Sequence, residues 1–344
     1  MMADIDRNKT AALAVKLLRH VGRRVREIRG NSASFHTVCT DLSSREWNPV
    51  QWPGVVYGSA ASDLIYEALS NVKPSMICRF GTIELATIAS ATTPLTLKNA
   101  VKLMSGDEVV RDIGMHDGLL RVLCKHAGFF PPELSQGRKF VDLMLDDMRQ
   151  IDILGTWCKQ EKHFASELVS AQRVRFRDME PYMHEKPWTR ALAGRKVLVI
   201  HPFAELIEAQ YRTKRSILFS NPLMLPEFEL KTIKAVQSIA YTKTKFRNWF
   251  EALDHMKDQI GNTDFDIAII GCGAYGMPLA AHAKRIGKKA VHLGGQTQLL
   301  FGIKGKRWET GHDEIKRLFN DYWVYPDERD RPQNYKSVEG GAYW

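Results

Sequence analysis

Short apolar runs closed by glycine, proline or polar residues alternate along the chain with longer amphipathic segments. A short apolar run is typical of a strand buried on both faces, whereas apolar residues spaced three or four apart predict a helix. Strands are predicted at residues 74–79, 151–154, 196–200, 267–270 and 290–293, with another beginning at Phe228. Helices are predicted at residues 62–69, 84–90, 95–104, 107–113, 118–126, 140–148, 204–212, 249–260 and 278–285. This alternation predicts an α/β fold, a Rossmann-like open and mostly parallel sheet with helices on both faces.

The pattern divides the chain into three parts. Residues 1–50 are predicted to be a basic helical arm followed by a polar linker. Residues 51–321 hold the predicted strands and form the Rossmann-like domain. Residues 322–344 are rich in aromatic and charged residues, and we expect them to form an irregular tail that packs on the domain.

Composition indicates an ordinary globular protein. The chain has 344 residues, of which 44% are hydrophobic and 26% charged. No apolar window approaches the length of a membrane-spanning helix, and the N-terminus lacks the apolar stretch of a signal peptide, so we expect a cytoplasmic protein. Its five cysteines are scattered without a C-x-x-C pair, which argues against a zinc knuckle and against a secreted disulfide framework.

The first thirty residues carry half of the formal net charge of +10, with eight basic and three acidic side chains. Their apolar residues recur at helical spacing: Leu13, Leu17, Leu18, Val21, Val25 and Ile28. Such a helix either lies on an anionic membrane, as a peripheral contact at the inner face of the plasma membrane, or packs on its own domain or on a second subunit of a homo-oligomer. Nucleic acid is not an expected partner, because no known binding module accompanies the charge.

A turn with the pattern G-x-G-x-x-G follows the predicted strand 267–270. Gly271, Gly273 and Gly276 open the next helix, with Tyr275 inside the turn. A strand, this turn and a helix are the context of a dinucleotide-binding fingerprint.

The predicted strand 290–293, which follows the helix predicted at residues 278–285, changes this interpretation. It ends in Gly294 and Gly295, where a dinucleotide site would place an acidic residue for the ribose hydroxyls. His292 and Gln296 are the polar substitutes. We therefore predict a phosphate or sugar site rather than an NAD site.

A second glycine turn, RFGTIE, follows the predicted strand 74–79. Arg79 can bind a phosphate with its forked guanidinium, and Gly81 lets backbone N–H groups approach the same phosphate. Glu84 lies one turn into the next helix, where it can face the pocket as a ligand to a metal, a ribose hydroxyl or an acceptor hydroxyl. The alternative is an arginine and a glutamate that only pair at a helix start.

Other polar residues stand near the ends of predicted strands, where ligands bind in open α/β sheets. Asp152 and His201 are candidate catalytic groups, and a histidine is a plausible general base near neutral pH. Glu205 is a further candidate base. Lys304, Lys306 and Arg307, in the loop FGIKGKRW, are candidate diphosphate ligands, and a solvated basic loop is the alternative.

The turn RFGTIE resembles the R-x-G-x-x-E signature of the GT-D type of bacterial glycosyltransferase. The likeness continues to the C-terminus through VLVIHPFAE, LPEFELKTIKAVQSIA, GCGAYGMPLAAHAKRIGKKAVHLGG, LLFGIKGKRW and VEGGAYW, which are similar to proteins of bacterial capsule and surface-polysaccharide clusters. The resemblance implies a hexosyltransferase that moves a sugar from a nucleoside-diphosphate sugar, with a UDP-sugar favoured, to a bacterial surface glycan by direct displacement. A lipid-linked acceptor is one form of this expectation, and residues 1–30 would then contact the membrane.

The resemblance also implies roles for individual residues. Glu84, His201 and Asp152 are the catalytic candidates, and Glu84 is the metal candidate. The nucleotide sugar would be bound by Arg79, Gly81, Thr82, Gly271, Gly273, Tyr275, Gly276, His292, Gly294, Gly295 and Lys304.

One departure from the family pattern concerns metal. Better-known members have R-x-G-D-G-E, so Thr82 replaces an aspartate and Ile83 a glycine. Mn²⁺ and Mg²⁺ prefer carboxylate oxygens, so the sequence puts metal dependence in doubt. If no metal takes part, Arg79 and a helix N-terminus must offset the leaving-group charge. Two other functions stay open: an NAD(P)-dependent oxidoreductase that uses the Gly271 turn, and a non-catalytic protein that binds a polysaccharide-assembly partner.

Overall fold

The computed structural model describes residues 13–25, 54–105, 107, 110, 112–309 and 313–344. Within them lies an eight-stranded sheet. Its strands are β1 (Val55–Val56), β2 (Ser75–Cys78), β3 (Ile153–Thr156), β4 (Gln172–Arg175), β5 (Lys196–His201), β6 (Glu229–Lys234), β7 (Ile267–Ile270) and β8 (Lys289–His292). The α-helices are α1 (residues 13–25), α2 (Ser59–Ser70), α3 (Thr82–Thr92), α4 (Leu97–Met104), α5 (Asp117–Ala127), α6 (Leu134–Met148), α7 (Ala204–Leu218), α8 (Trp249–Gly261), α9 (Gly276–Arg285) and α10 (Asp313–Lys316).

The strands lie in the order β1-β4-β3-β2-β8-β7-β5-β6. Every pairing between these neighbours is parallel, as when Val197 of β5 lies beside Ile267 of β7. Parallel strands need crossover connections, and helices supply most of them here. The predicted α/β fold with an open parallel sheet is confirmed.

Both faces of the sheet are buried. Successive side chains of a strand point to opposite faces. Met76 and Cys78 of β2 therefore join one hydrophobic core, while Ile77 joins the other. The first core contains side chains from α3, α5, α6, α8 and α9. The second contains side chains from α2, α7 and the 3₁₀ segment Gly294–Phe301. Apolar strand residues on both sides explain why these strands were visible as continuous apolar runs.

The sequence pattern does not predict two of the observed strands, and it places the start of a third strand too early. β4 holds one fully buried apolar residue, Val174, and β1 is only two residues long, so neither forms an apolar run. The strand predicted at residues 151–154 is β3 and begins two residues later.

The helix predicted at residues 107–113 is also wrong where the structure describes it. Asp107, Val110, Asp112 and Ile113 are not helical. The Asp107 carboxylate accepts a hydrogen bond from Val110 N at 2.7 Å, and that of Asp112 accepts one from Ile113 N at 2.8 Å. Such local bonds from side chain to backbone compete with helix formation.

Much of the predicted basic arm and linker, residues 1–12 and 26–53, lies outside the described residues. The helical prediction holds for residues 13–25. No helix in the described part of the chain is both long and apolar enough to cross a lipid bilayer.

Candidate functional site

A cleft opens at the carboxyl ends of β2, β8, β7 and β5. After β2 the chain enters α3, which packs in the first core, and after β8 it enters Gly294–Phe301, which packs in the second. Neighbouring strands whose connections leave to opposite faces create a crevice, the usual ligand position in open α/β sheets. The polar and aromatic side chains that line the cleft include Arg79, Glu84, His126, Trp157, His201, Phe203, Gln237, Ser238, Tyr275, His292, Gln298, Arg307, Glu339, Tyr343 and Trp344.

The turn after β2 places Glu84 in the cleft wall. Gly81 is the N-cap of α3, and its carbonyl accepts a hydrogen bond from Leu85 N at 2.9 Å. A Cβ atom at residue 81 would overlap the Glu84 carboxylate, whose Oε1 would lie only 2.6 Å from it. Glycine makes room here for the observed position of the Glu84 carboxylate and is not needed for an unusual backbone angle, because its φ is −74°. The R-x-G-x-x-E spacing thus folds the carboxylate back over the turn.

Arg79 is held by aromatic rings. Its guanidinium carbon lies 5.3 Å from the ring centre of Trp157 and 5.4 Å from that of Phe176, and these two rings stack 4.7 Å apart. Arg79 Nη1 donates to Phe80 O at 2.7 Å, while the buried Nε finds no acceptor among the described residues. Cation–π contacts orient an arginine without neutralising its charge. Arg79 therefore brings an intact positive charge to the cleft.

The loop after β3 holds Trp157 in place. The carboxylate of buried Glu161 accepts hydrogen bonds from Trp157 N at 3.0 Å and from Cys158 N at 2.9 Å, and it also bonds the hydroxyl of Thr156. Burial raises the pKa of Glu161 to about 7 despite these bonds. Trp157 Nε1 donates to Phe80 O at 3.1 Å, so the loop is tied to the Arg79 turn.

The three glycines of the G-x-G-x-x-G turn after β7 pack closely against other parts of the protein. A Cβ atom at Gly271 would overlap the carbonyl of Gly294, and one at Gly276 would overlap the His292 ring. Gly273 has a φ of +58°, and its Cβ would lie 2.8 Å from the carbonyl of Ala127. These glycines let the ends of β7 and β8 and helix α5 approach each other. A side chain at any of these three positions would therefore meet protein atoms, while Gly271 and Gly273 still line the cleft with their backbone.

Tyr275 of the same turn lines the cleft and is buried. Its ring stacks on Trp249, with the centres 5.0 Å apart. Its hydroxyl lies 3.0 Å from Ser238 Oγ, which in turn bonds the carbonyl of Gly128 at 2.5 Å. Burial raises the pKa of Tyr275 far above its usual value, so the phenol stays protonated.

The environment of His201 does not support a general base. Burial lowers its pKa to about 3, so the ring is neutral near pH 7. Its Nδ1 accepts a hydrogen bond from Phe203 N at 3.0 Å. The single proton of the neutral ring is therefore on Nε2, and His201 can only donate to a ligand.

His292 is also buried and neutral. Burial, and then the positive charge of Arg79, lower its pKa to about 3. Its Nδ1 lies 3.4 Å from the sulfur of Cys78. His292 lines the cleft, and its ring fills the space above Gly276.

The C-terminal segment forms a wall of the cleft together with Arg307, and of these residues the sequence singled out Arg307 but not Glu339 or Tyr343. Arg307 pairs with Glu339 and donates to the hydroxyl of Tyr343 at 3.2 Å. Its guanidinium carbon lies 4.6 Å from the centre of the Tyr343 ring. A Cβ atom at Gly295 would overlap that ring, so the glycine pair after β8 accommodates the tail. The motif VEGGAYW was the available signal: Glu339, Gly340 and Gly341 have φ values of 49°, 68° and 88°, which turn the tail back to the cleft.

Most of the predicted site residues come together. The cleft is lined by Arg79, Gly81, Thr82, Glu84, His201, Gly271, Gly273, Tyr275, His292, Gly294 and Gly295. Gly276 lies beneath the ring of His292 rather than on the cleft surface.

Asp152 and Lys304 are not part of the cleft. Asp152 immediately precedes β3, so it lies at the amino ends of the parallel strands, away from the cleft at their carboxyl ends. Its carboxylate pairs with Lys284 at 2.7 Å and accepts from Met76 N at 2.8 Å. Lys304 Nζ lies 5.5 Å from the ring centres of Phe319 and Tyr325. Arg307, three residues later, is the cation of this loop that lines the cleft.

The residues present make a poor metal site by themselves. In the described part of the chain, no three His, Cys, Asp or Glu side chains are grouped as metal ligands. Glu84 is the single carboxylate of the RFGTIE turn, and Thr82 offers only a hydroxyl. A divalent cation prefers six or more oxygen ligands, so phosphate oxygens of a substrate and waters would have to complete its shell.

Comparison with known proteins gives a family match. Residues 59–300 match the model of the GT-D-like family, described as a GT-D fold-like domain. Two solved structures are similar: a selenomethionine-substituted structure of domain of unknown function 1792, and a structure reported to show that this highly conserved domain has a distinct glycosyltransferase fold. Their TM-scores are 0.33 and 0.34, each at 10% identity, covering 86% of this chain and 96% of theirs. No curated protein matches the chain.

Proposed function

Because the chain belongs to the family of GT-D fold-like domains, we propose that it is a glycosyltransferase that moves a sugar from a nucleoside-diphosphate sugar to a glycan acceptor. The observation that carries the proposal is the meeting of Arg79 and Glu84 in one cleft at the carboxyl ends of the parallel strands. A cation and a carboxylate on the same short turn suit the two ends of such a donor, its diphosphate and its sugar.

The diphosphate would bind at the start of α3. The guanidinium of Arg79 lies at this end of the helix, and the first-turn N–H groups of a helix attract anions. His201 adds an Nε2–H donor to the same cleft. These groups are fixed before substrate binds, so they would stabilise the negative charge that develops on the leaving diphosphate without reorganisation.

The reaction would be a direct displacement at the anomeric carbon. An acceptor hydroxyl oxygen forms the new bond to that carbon, the bond to the diphosphate oxygen breaks, and the nucleoside diphosphate leaves with the electron pair. The acceptor proton needs a base. Among the predicted candidates, Glu84 is our choice. His201 is a hydrogen-bond donor, and Asp152 lies at the amino ends of the strands, away from the cleft. Glu205 is 71% exposed and pairs with Lys234.

The finer identity of the substrates is part of the proposal. We favour a hexosyl donor carried by UDP and an acceptor from a bacterial surface glycan, which the sequence motifs imply. Mn²⁺ or Mg²⁺, when bound, would be held by Glu84 together with donor phosphate oxygens and would supply charge stabilisation there, and Glu84 would then act as a metal ligand instead of the base. A cytoplasmic protein that elongates a lipid-linked acceptor would work at the inner face of the membrane.

Thermal-shift screening of the full chain against UDP-sugars, UDP, NAD and NADP, with and without Mn²⁺, tests the binding part. We expect stabilisation by a nucleotide sugar, because a ligand that binds only the native state raises stability by mass action. Stabilisation by NAD or NADP alone would instead favour the oxidoreductase. No stabilisation by any nucleotide would favour a non-catalytic binding protein.

Transfer or donor-hydrolysis assays of Arg79→Ala and Glu84→Ala test the assigned residues. Each should lose activity while remaining folded. Arg212→Ala and Glu208→Ala are matched controls, because these residues form an exposed ion pair on α7. Full activity of both cleft variants would overturn the site.

A further inference from the structure

Helix α1 carries an apolar row on its outer side. Leu13, Leu17 and Val21 are 69%, 65% and 37% exposed. Residues four apart lie on the same face of a helix, so these three side chains form a continuous strip. An exposed strip of this kind calls for a partner surface when it borders a charged face.

The opposite side of α1 is fixed to the domain. Arg19 Nε donates to the carboxylate of Asp112 at 2.5 Å. Leu18 packs against a small core that includes Leu103 of α4, and a Cβ atom at Gly22 would overlap the carbonyl of Leu103. Because the inner face is docked in this way, the apolar row cannot turn inward.

Positive charge borders the apolar row. Lys16, Arg23 and Arg24 are exposed, and residues 13–25 contain no acidic residue. On a helical wheel Arg24 falls between Leu13 and Leu17, and Lys16 and Arg23 lie beside them on one side. The outer face of α1 is therefore both apolar and cationic.

Helix α4, which contacts α1, has the same layout. Leu97 and Val101, four residues apart, are 82% and 51% exposed. Lys98 and Lys102 border them, and Leu97–Met104 contains no acidic residue. Two adjacent helices thus share one chemical character.

We propose that the outer faces of α1 and α4 form a peripheral membrane surface that binds anionic phospholipid. The apolar rows would enter the boundary between headgroups and acyl chains, and the lysines and arginines would meet the phosphates. A second copy of the chain fits less well, because a symmetric contact would bring the cationic faces of two copies together. The proposal does not depend on the proposed sugar transfer.

Cosedimentation of the full chain with vesicles tests the proposal, using phosphatidylcholine alone and phosphatidylcholine with phosphatidylglycerol. We expect binding only with phosphatidylglycerol and weaker binding at high salt, because salt screens the attraction. The double variants Leu13→Glu/Leu17→Glu and Leu97→Glu/Val101→Glu should each weaken partitioning about tenfold or more, since each removes two apolar anchors.

The matched control is Val72→Glu/Val169→Glu. These valines are 95% and 81% exposed and lie elsewhere on the domain, so the control makes the same change in charge without touching α1 or α4. Equal loss of binding in the control would overturn the proposal, as would absence of binding by the unmodified chain. A dimer in sedimentation velocity that Leu13→Glu/Leu17→Glu dissociates would also overturn it, by assigning the face to a second copy.

Discussion

The carboxylate of Glu84 lies over the Cα atom of Gly81, so close that a Cβ atom at residue 81 would overlap it. Both residues line the cleft. The position of the proposed base therefore depends on the absence of a side chain three residues earlier. Any side chain at residue 81 must displace the carboxylate.

Gly81→Ala should lower sugar transfer about a hundredfold, because moving a reacting group by about 1 Å has an effect of that size. The backbone at residue 81 suits alanine, so the fold should survive. Steady-state kinetics and thermal melts of the variant check both parts. Gly261→Ala is the control, since nothing lies within 4 Å of its would-be Cβ atom. Unchanged kcat in Gly81→Ala would show that the Glu84 position does not matter.

His201→Asn should lower transfer by about ten- to a hundredfold at all pH values, the effect of losing one hydrogen bond to a charged group. The asparagine oxygen can replace Nδ1 as the acceptor for Phe203 N, so the local backbone is kept. Since the pKa of His201 is about 3, the wild-type rate should show no titration of this residue between pH 5 and 8. A rate limb that disappears only in His201→Asn would instead identify a general base.

Glu180→Gln should become progressively more stable than wild type as the pH rises. Glu180 is buried and accepts a hydrogen bond from Gln296, and burial raises its pKa to about 8. Between about pH 4.5 and 8 the unfolded chain releases this proton and the folded chain keeps it. In this pH range, the proton that Glu180 keeps in the folded state therefore lowers the unfolding free energy of the wild type by up to about 1.4 kcal/mol for each unit of pH increase.

Urea unfolding of both proteins at pH 5 and pH 8 measures this difference. Glu227→Gln is the control, because that side chain is 86% exposed. A stability difference between Glu180→Gln and wild type that is equal at the two pH values would contradict the prediction.

Arg307→Ala should destabilise the protein by about 1–3 kcal/mol, because it removes charged hydrogen bonds to Glu339 and Tyr343 in a partly buried site. It should also weaken substrate binding, since Glu339 and Tyr343, which line the cleft, lose their contact with Arg307. Chemical denaturation and KM measurements check the two effects. The control Arg329→Ala breaks an exposed pair with Asp327 and should cost less than about 1 kcal/mol. An equal loss of stability in Arg307→Ala and Arg329→Ala would mean that the contacts of Arg307 add no more stability than an exposed ion pair.

The parallel sheet could be predicted from the sequence because its strands are buried on both faces. The sequences of β5 (KVLVIH) and β7 (IAII) do not alternate between apolar and polar residues. Their continuous apolar runs were sufficient to predict buried strands. β1 and β4, the two strands at one side of the sheet, could not be seen in the sequence: β1 is an edge strand of only two residues, and β4, beside it, is only partly buried and admits polar residues such as Arg173. Hydrophobic periodicity reports burial, and burial decreases at the edge of a sheet.

The site could be predicted where its residues lie at strand ends and in the turns that follow them. Arg79, Gly81 and Glu84 are positioned by one strand end and one helix start, so their spacing along the chain already implies their proximity. Asp152 was misassigned because it stands at the start of its strand, both as predicted and as observed, whereas the cleft lies at the carboxyl ends of the parallel strands.

By itself the sequence determined the alternation of strands and helices, the burial of the central strands, and the glycine turns at the ends of β2 and β7, because each depends on residues within a few positions of one another. The tertiary structure alone decided which strand ends meet, that Gly294 lies against Arg79, and that Tyr343 closes over Gly295. It also decided that His201 is a donor, because burial and one backbone N–H fix its protonation. These relationships join residues that are far apart in the chain, and local periodicity carries no information about such contacts.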